Sequence, residues 1–187
     1  MIRKVLGNEE NKESLILQKC SNCSEGLGKQ LCSSCNKCFC QDCIDKGIIT
    51  KLQEKAPLGI NGGCFNANTI EQQYLRKYIL DEGLSFSNVY KDLLNDLEGK
   101  KYFFLLNYRI VLKSERQFRR EDELCEPCFA ELWNELLYKY RVSIANSLPR
   151  EIRRRPNCWY GNECRTQTYN IEHARRFNHI CDKVDSN

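Results

Sequence analysis

The chain contains only two histidines, and both stand in one frame with two cysteines: Cys158-x5-Cys164-x8-His173-x5-His179. Two thiolates and two imidazoles meet the tetrahedral preference of zinc, so these four residues are expected to hold one ion. Cys181 is the alternative to His179 as fourth ligand. A DNA-reading finger has a short gap between its cysteines and about twelve residues before its histidines, enough for a helix that enters the major groove. Here the first gap is longer and the second too short for that helix, so sequence-specific DNA binding is not expected.

Ten further cysteines precede this frame. They run Cys20-x2-Cys23, Cys32-x2-Cys35, Cys38, Cys40-x2-Cys43 and Cys64, followed far along the chain by Cys125-x2-Cys128. Eight thiolates fill two tetrahedral sites. One arrangement puts Cys20, Cys23, Cys40 and Cys43 on one ion and Cys32, Cys35, Cys125 and Cys128 on another. Cys38 and Cys64 are then spare, or displace a member. Spacing alone leaves the pairing open. About three zinc ions per chain are expected. The early cysteines also imitate six of the eight ligands of a RING. No histidine occupies the middle, the gap before Cys40 is short, no closing C-x2-C follows within reach, and Ser24 stands where a RING shows an apolar residue to its conjugating enzyme.

The elements that must position these ligands follow from composition and pattern. Of 187 residues, 41% are hydrophobic and 29% charged, which allows a core of modest size. Thirteen cysteines are an odd number. Met1–Gly7 has no apolar run of the signal-peptide kind, so a reducing compartment, and metal rather than disulfides, is expected. No stretch reaches the length of a membrane span. Net charge is +4, and residues 150–187 hold 8 basic against 5 acidic side chains, a local excess that favours a polyanion.

The polar residues 1–19 read as a flexible lead-in. Residues 20–148 read as one cysteine-rich and helical domain, 149–156 as a basic linker, and 157–187 as the finger. Residues 20–64 are too poor in apolar side chains to fold without metal. Thr69 and Gln72 suit a capping box before a helix carrying Ile70, Tyr74, Tyr78 and Ile79, with Gly83 as its stop. Ser87 suits the cap of a second helix with Val89, Tyr90, Leu93, Leu94 and Leu97, ending at Gly99. The apolar run Tyr102–Leu106, continued by Tyr108 and Ile110–Leu112, reads as a buried helix end or a strand. A third helix runs from about Cys128 through Phe129, Leu132, Trp133, Leu136, Leu137 and Tyr140. Pro149 and Pro156 discourage helix in the linker. The fold class is therefore a small, zinc-stabilised, mainly α chain: an irregular cysteine-rich zinc region packed on helices, then a C2H2 finger.

Arg155, Cys158, Tyr160, Gly161, Cys164, His173, Phe177 and His179 fill the pattern of the poly(ADP-ribose)-binding (PBZ) zinc finger, which this segment resembles. A longer resemblance runs from Cys20 to Cys181. It includes Gly63-Cys64, the helix around Asn68–Leu80, Phe104–Arg109, Leu124-Cys125, Arg165-Thr166-Gln167 and Phe177–Cys181. It is to the C-terminal half of the CHFR family of RING-type ubiquitin ligases.

The resemblance implies a zinc-built reader of poly(ADP-ribose) on modified proteins, acting in ubiquitination and mitotic checkpoint control in the nucleus. Trp159 and Tyr160 would stack on adenine, and Arg165, Gln167 and Arg176 would approach the polymer. Ubiquitin-pathway enzymes would be partners through domains upstream of Cys20, where that family carries its forkhead-associated and RING domains. Ubiquitin transfer in the family depends on that RING, so no catalytic residue is assigned here. Two other readings remain: a free-standing poly(ADP-ribose) adaptor and a nucleic-acid-binding zinc protein.

Overall fold

A computed structural model describes residues 18–56, 59–99 and 118–184. The lead-in up to residue 17 and the apolar run 102–112 lie outside the described residues. The described chain divides into two units. Residues 18–55 and 118–130 form the first, and residues 56, 59–99 and 131–184 the second. The finger residues fall in the same unit as the helices.

The first unit has little regular structure. Strand β1 (Gln30–Leu31) pairs antiparallel with β2 (Cys38–Phe39), matching Gln30 with Phe39 and Leu31 with Cys38. Helix α1 (Gln41–Asp45) follows, then β3 (Ile49–Lys51). Strand β4 (Glu123–Cys125) returns antiparallel to β3, placing Cys125 opposite Ile49. This pairing brings a cysteine from far along the chain back to the early ones. Cys125 immediately precedes α4 (Glu126–Ser143), whose first turn accommodates Pro127 because its missing N–H would have had no helical partner. Buried apolar side chains are few here: Phe39, Ile49, Leu52, Phe118, Leu124 and Phe129.

The second unit is helical. Helix α2 (Thr69–Asp81) buries Ile70, Leu75 and Ile79, while Tyr74 and Tyr78 stay half-buried. Its cap is Asn68, not Thr69: the Asn68 carboxamide oxygen accepts from the Ile70 and Glu71 N–H groups at 3.0 and 3.1 Å. Gln72 does not close a box but donates to the Cys64 carbonyl at 3.0 Å. Gly83, at φ 65°, ends the helix as expected. The Leu84 N–H reaches back to the Ile79 carbonyl and the Gly83 N–H to Leu80, a Schellman closure.

Helix α3 (Phe86–Gly99) starts two residues earlier than expected because Ser85, not Ser87, is the cap. The Ser85 hydroxyl accepts from the Asn88 N–H at 3.1 Å, and Asn88 Oδ1 accepts from the Ser85 N–H at 2.9 Å. Val89, Tyr90, Leu93 and Leu94 are buried, and the side chain of Leu97 lies outside the described ones. On α4, Leu132, Trp133, Leu136 and Leu137 are buried, and the Trp133 indole meets the Tyr90 ring edge-on at 5.5 Å. The Trp133 N–H donates to the Gly59 carbonyl at 2.8 Å, satisfying the buried indole.

Contrary to the linker reading, Arg150–Arg153 form a one-turn helix, α5, behind Pro149. Pro149 tolerates this because it precedes the helix, where a missing N–H costs nothing. The finger adds α6 (Ile171–Arg176), capped by Asn170, which accepts from the His173 N–H at 3.0 Å. Before α2 the backbone turns through three consecutive left-handed residues, Phe65, Asn66 and Ala67, at φ 55°, 52° and 60°.

Candidate metal centres and ligand surface

Three sets of four donors gather, each with all its ligand atoms within 4.8 Å of one another: Cys20, Cys23, Cys40 and Cys43; Cys32, Cys35, Cys125 and Cys128; and Cys158, Cys164, His173 and His179. A zinc tetrahedron with bonds of about 2.3 Å to sulfur has S···S edges of about 3.8 Å, and about 3.6 Å where one donor is nitrogen. The Cys20–Cys43 and Cys23–Cys40 sulfurs are 3.6 Å apart and Cys35–Cys125 3.8 Å. His173 Nε2 lies 3.6 Å from Cys158 and 3.4 Å from Cys164. A disulfide would need about 2 Å, and all thirteen cysteines are free.

Local backbone geometry prepares the sulfurs. In the first two C-x2-C steps the residue after the second cysteine is left-handed, Ser24 at φ 63° and Asn36 at φ 58°. Its N–H folds back onto the carbonyl of the first cysteine, at 2.9 and 3.0 Å. The two sulfurs of the step are thereby aimed at one point. Backbone N–H groups also face the sulfurs, Asn22 toward Cys20 and Cys125 toward Cys32 at 3.5 and 3.4 Å, which supports thiolate charge. Gly26 passes so close to Cys40 that a Cβ there would lie 2.5 Å from the Cys40 Cβ.

In the finger, His179 is 1% exposed and neither ring nitrogen has a hydrogen-bond partner. A buried imidazole left so is costly unless a metal takes its lone pair. Burial, helped by the neighbouring His173, holds its pKa down at about 4, so the ring is neutral and ready to ligate. Gly161, at φ 47°, lets the loop between the two cysteines turn against the chain end. A Cβ there would lie 2.2 Å from the Cys181 carbonyl oxygen.

Cys64 was among the expected ligands, and the structure places it in none of the three sets. It is fully buried in the second unit and donates to Asn134 Oδ1 at 2.8 Å. Burial pushes its thiol up to about 11. Cys38 is likewise outside the sets and donates to the Lys19 carbonyl at 3.0 Å. Cys181 faces the Asn178 carbonyl, so His179 and not Cys181 completes the finger set. The RING-like frame dissolves, since Cys35 joins Cys125 and Cys128 rather than Cys38. The three sets fit three zinc ions. Elemental analysis of the chain is expected to return three zincs, and Cys64→Ser is expected to retain all three; loss of one would make Cys64 a ligand.

Trp159 and Tyr160 are 54% and 55% exposed, unusual for aromatic rings on so small a folded segment. They sit on the loop between the two finger sulfurs, beside exposed Arg165, and exposed Arg176 lies over the Phe177 ring at 5.3 Å. Gln167 does not belong to this surface. It is 4% exposed, its oxygen accepts from Asn68 Nδ2 at 2.8 Å and its nitrogen donates to the Asn162 carbonyl at 3.1 Å. One end of its amide ties the finger to the cap of α2 and the other ties it to the finger's own loop. Sequence reasoning passed over Lys183, whose ammonium lies 5.9 Å from the Tyr160 ring centre, and Tyr169, 77% exposed. The only signal for Tyr169 was an aromatic residue in a polar loop.

Arg155 takes a role its place in the motif did not reveal. It donates to the carbonyls of Ile152, Ala174 and Phe177 and to the Glu71 carboxylate, with its guanidinium over the Tyr74 ring at 4.8 Å. Glu71 is fully buried and also accepts from Arg141 at 2.8 Å. One carboxylate on α2 thus joins α4 to the finger.

Comparison with known proteins agrees with this geometry. The family described as a cysteine rich domain with multizinc binding regions matches residues 11–144, and the PBZ domain matches residues 155–182. The E3 ubiquitin-protein ligase CHFR of Danio rerio is 36% identical over 166 residues, covering 84% of this chain and 24% of that protein. CHFR of Homo sapiens is 32% identical over 166 residues, with the same coverage. CHFR of Xenopus laevis is 31% identical over 169 residues, covering 84% of this chain and 25% of that protein. The chain thus spans about a quarter of the length of these curated relatives. Among the described residues no helix is long and apolar enough to cross a membrane. With three tetrahedral donor sets and a match over most of its length, the chain belongs to the family of cysteine-rich, multizinc-binding domains, here followed by a PBZ finger.

Proposed function

We propose that this chain is the poly(ADP-ribose)-reading region of a CHFR-like ubiquitin ligase, working in the nucleus on proteins that carry the polymer. The observation that carries the reading is the pair of exposed rings, Trp159 and Tyr160, held on the zinc loop beside Arg165. Zinc and Gly161 fix the loop, so the backbone that carries the rings need not be ordered on binding. Adenine faces stack on such rings, and the Arg165 fork suits a phosphate oxygen pair. Ubiquitin-pathway enzymes belong to this reading as partners of the longer relatives, and ligase activity is proposed for the assembly that contains this region rather than for these residues.

The test is affinity for poly(ADP-ribose), by filter or blot binding, with Tyr160→Ala beside the native chain. Stacking worth about 1–3 kcal/mol predicts a loss of roughly ten- to hundredfold. The zinc content should stay at three, because the ring is exposed and ligates nothing. Binding that survives Tyr160→Ala unchanged would remove the aromatic surface as the polymer site.

A further inference from the structure

A cavity of about 410 Å³ opens on the second unit, away from the exposed rings; neither Trp159, Tyr160 nor Arg165 lines it. Its wall carries Arg141, Arg150, Arg153 and Arg154 with Asn178 and Ile180, and no carboxylate. Among the described residues Arg150, Arg153 and Arg154 have no ion-pair partner, and all three are exposed. Arg141 differs. It is 3% exposed, and its Nε is buried with no hydrogen-bond partner. Its carboxylate, Glu71, is shared with Arg155, so two buried guanidiniums stand against one negative charge. An uncompensated positive charge in a buried network is costly unless an anion answers it.

We propose that this cavity is a binding site for a phosphate monoester, distinct from the aromatic surface of the finger. Arginines from α4 and α5 line it together, and a planar guanidinium fork matches a phosphate's oxygens in pairs. A monoester concentrates about −1.5 to −2 charges on one group at neutral pH, whereas each phosphate in a diester or diphosphate link carries about one. Four guanidiniums around one opening suit the more concentrated charge. Buried Leu148 and Ile152 on the same wall limit water at the flanks, which strengthens the pairing. Two sources present this chemistry, a phosphorylated serine or threonine side chain and a nucleoside monophosphate.

The experiment follows the Arg141 Nε–H resonance of the zinc-loaded full chain by NMR while inorganic phosphate, a phosphoserine peptide or adenosine 5′-monophosphate is added. A saturable shift is expected with each, and none with the unphosphorylated peptide or with adenosine. The tighter of the peptide and the nucleotide identifies the source. Arg150→Ala and Arg154→Ala, both of exposed residues, should each weaken the response at least about tenfold. ADP-ribose, which carries no monoester, should not displace the ligand. Absence of a saturable shift would overturn the site, and displacement by ADP-ribose would make the cavity part of the polymer groove instead. A phosphate response in a chain that fails to bind poly(ADP-ribose) would leave the cavity standing and sink the reader assignment alone.

Discussion

Replacing Glu71 by glutamine is expected to destabilise the helical unit by about 3–5 kcal/mol. The substitution keeps the shape and removes only the charge. Two guanidiniums, on side chains 3% and 7% exposed, are then left without their common counter-ion. A domain of this size is stable by only about 5–15 kcal/mol, so a large fraction is lost. The Arg155 bonds to the Ala174 and Phe177 carbonyls loosen with it, because the same guanidinium makes them. Urea unfolding followed by tryptophan fluorescence reads the effect, since Trp133 and Trp159 both belong to this unit. A change below about 1 kcal/mol would show that the shared carboxylate is not what holds the finger to α2.

The second large effect belongs to the first unit. Cys20→Ser is expected to unfold residues 18–55 and 118–130 together and, with them, to lose both zincs of the first unit. Six buried apolar side chains besides its cysteines cannot offset the entropy of ordering some fifty residues at about 1–2 kcal/mol each. A structural zinc site contributes on the order of 10–16 kcal/mol, so each site decides whether this unit folds. Amide protection in the β3–β4 ladder should disappear, with only the finger's zinc remaining by elemental analysis. A variant that keeps that protection would show that apolar packing carries the unit.

Much of this was legible before any coordinates. Metal ligands announce themselves because donor chemistry and spacing are local, and the two histidines could hardly stand in one zinc frame by accident. The grouping of Cys32 and Cys35 with Cys125 and Cys128 was one open arrangement among several. What settles it is the β3–β4 ladder, a pairing three residues long that no periodicity betrays. Cys64 and Gln167 were misread for a common reason. A cysteine or an amide at a motif position looks the same whether it serves a ligand or a buried partner. Their partners, Asn134 and Asn68, lie 70 and 99 residues away. The caps of α2 and α3 were each misplaced because Asn68 and Thr69, or Ser85 and Ser87, are equally good capping residues on paper. The true choice depends on where the next carbonyl or amide arrives.

The three left-handed residues Phe65, Asn66 and Ala67 bear on the order in which the chain folds. Each such residue costs about 1–2 kcal/mol against the ordinary helical basin, so this turn cannot form early on its own account. What holds it is distant: Asn66 donates to the Asn162 carbonyl, and Asn68 to Gln167, across 96 and 99 residues. The four finger ligands, by contrast, all fall between Cys158 and His179, and short loops close first. The finger should therefore collect its ion and set its shape before the 65–67 turn snaps shut against it and α2 gains its cap. When zinc is returned to the chelated chain, amide protection at Glu163 should precede protection at Ile70 and Glu71. The reverse order would mean that the helices template the finger.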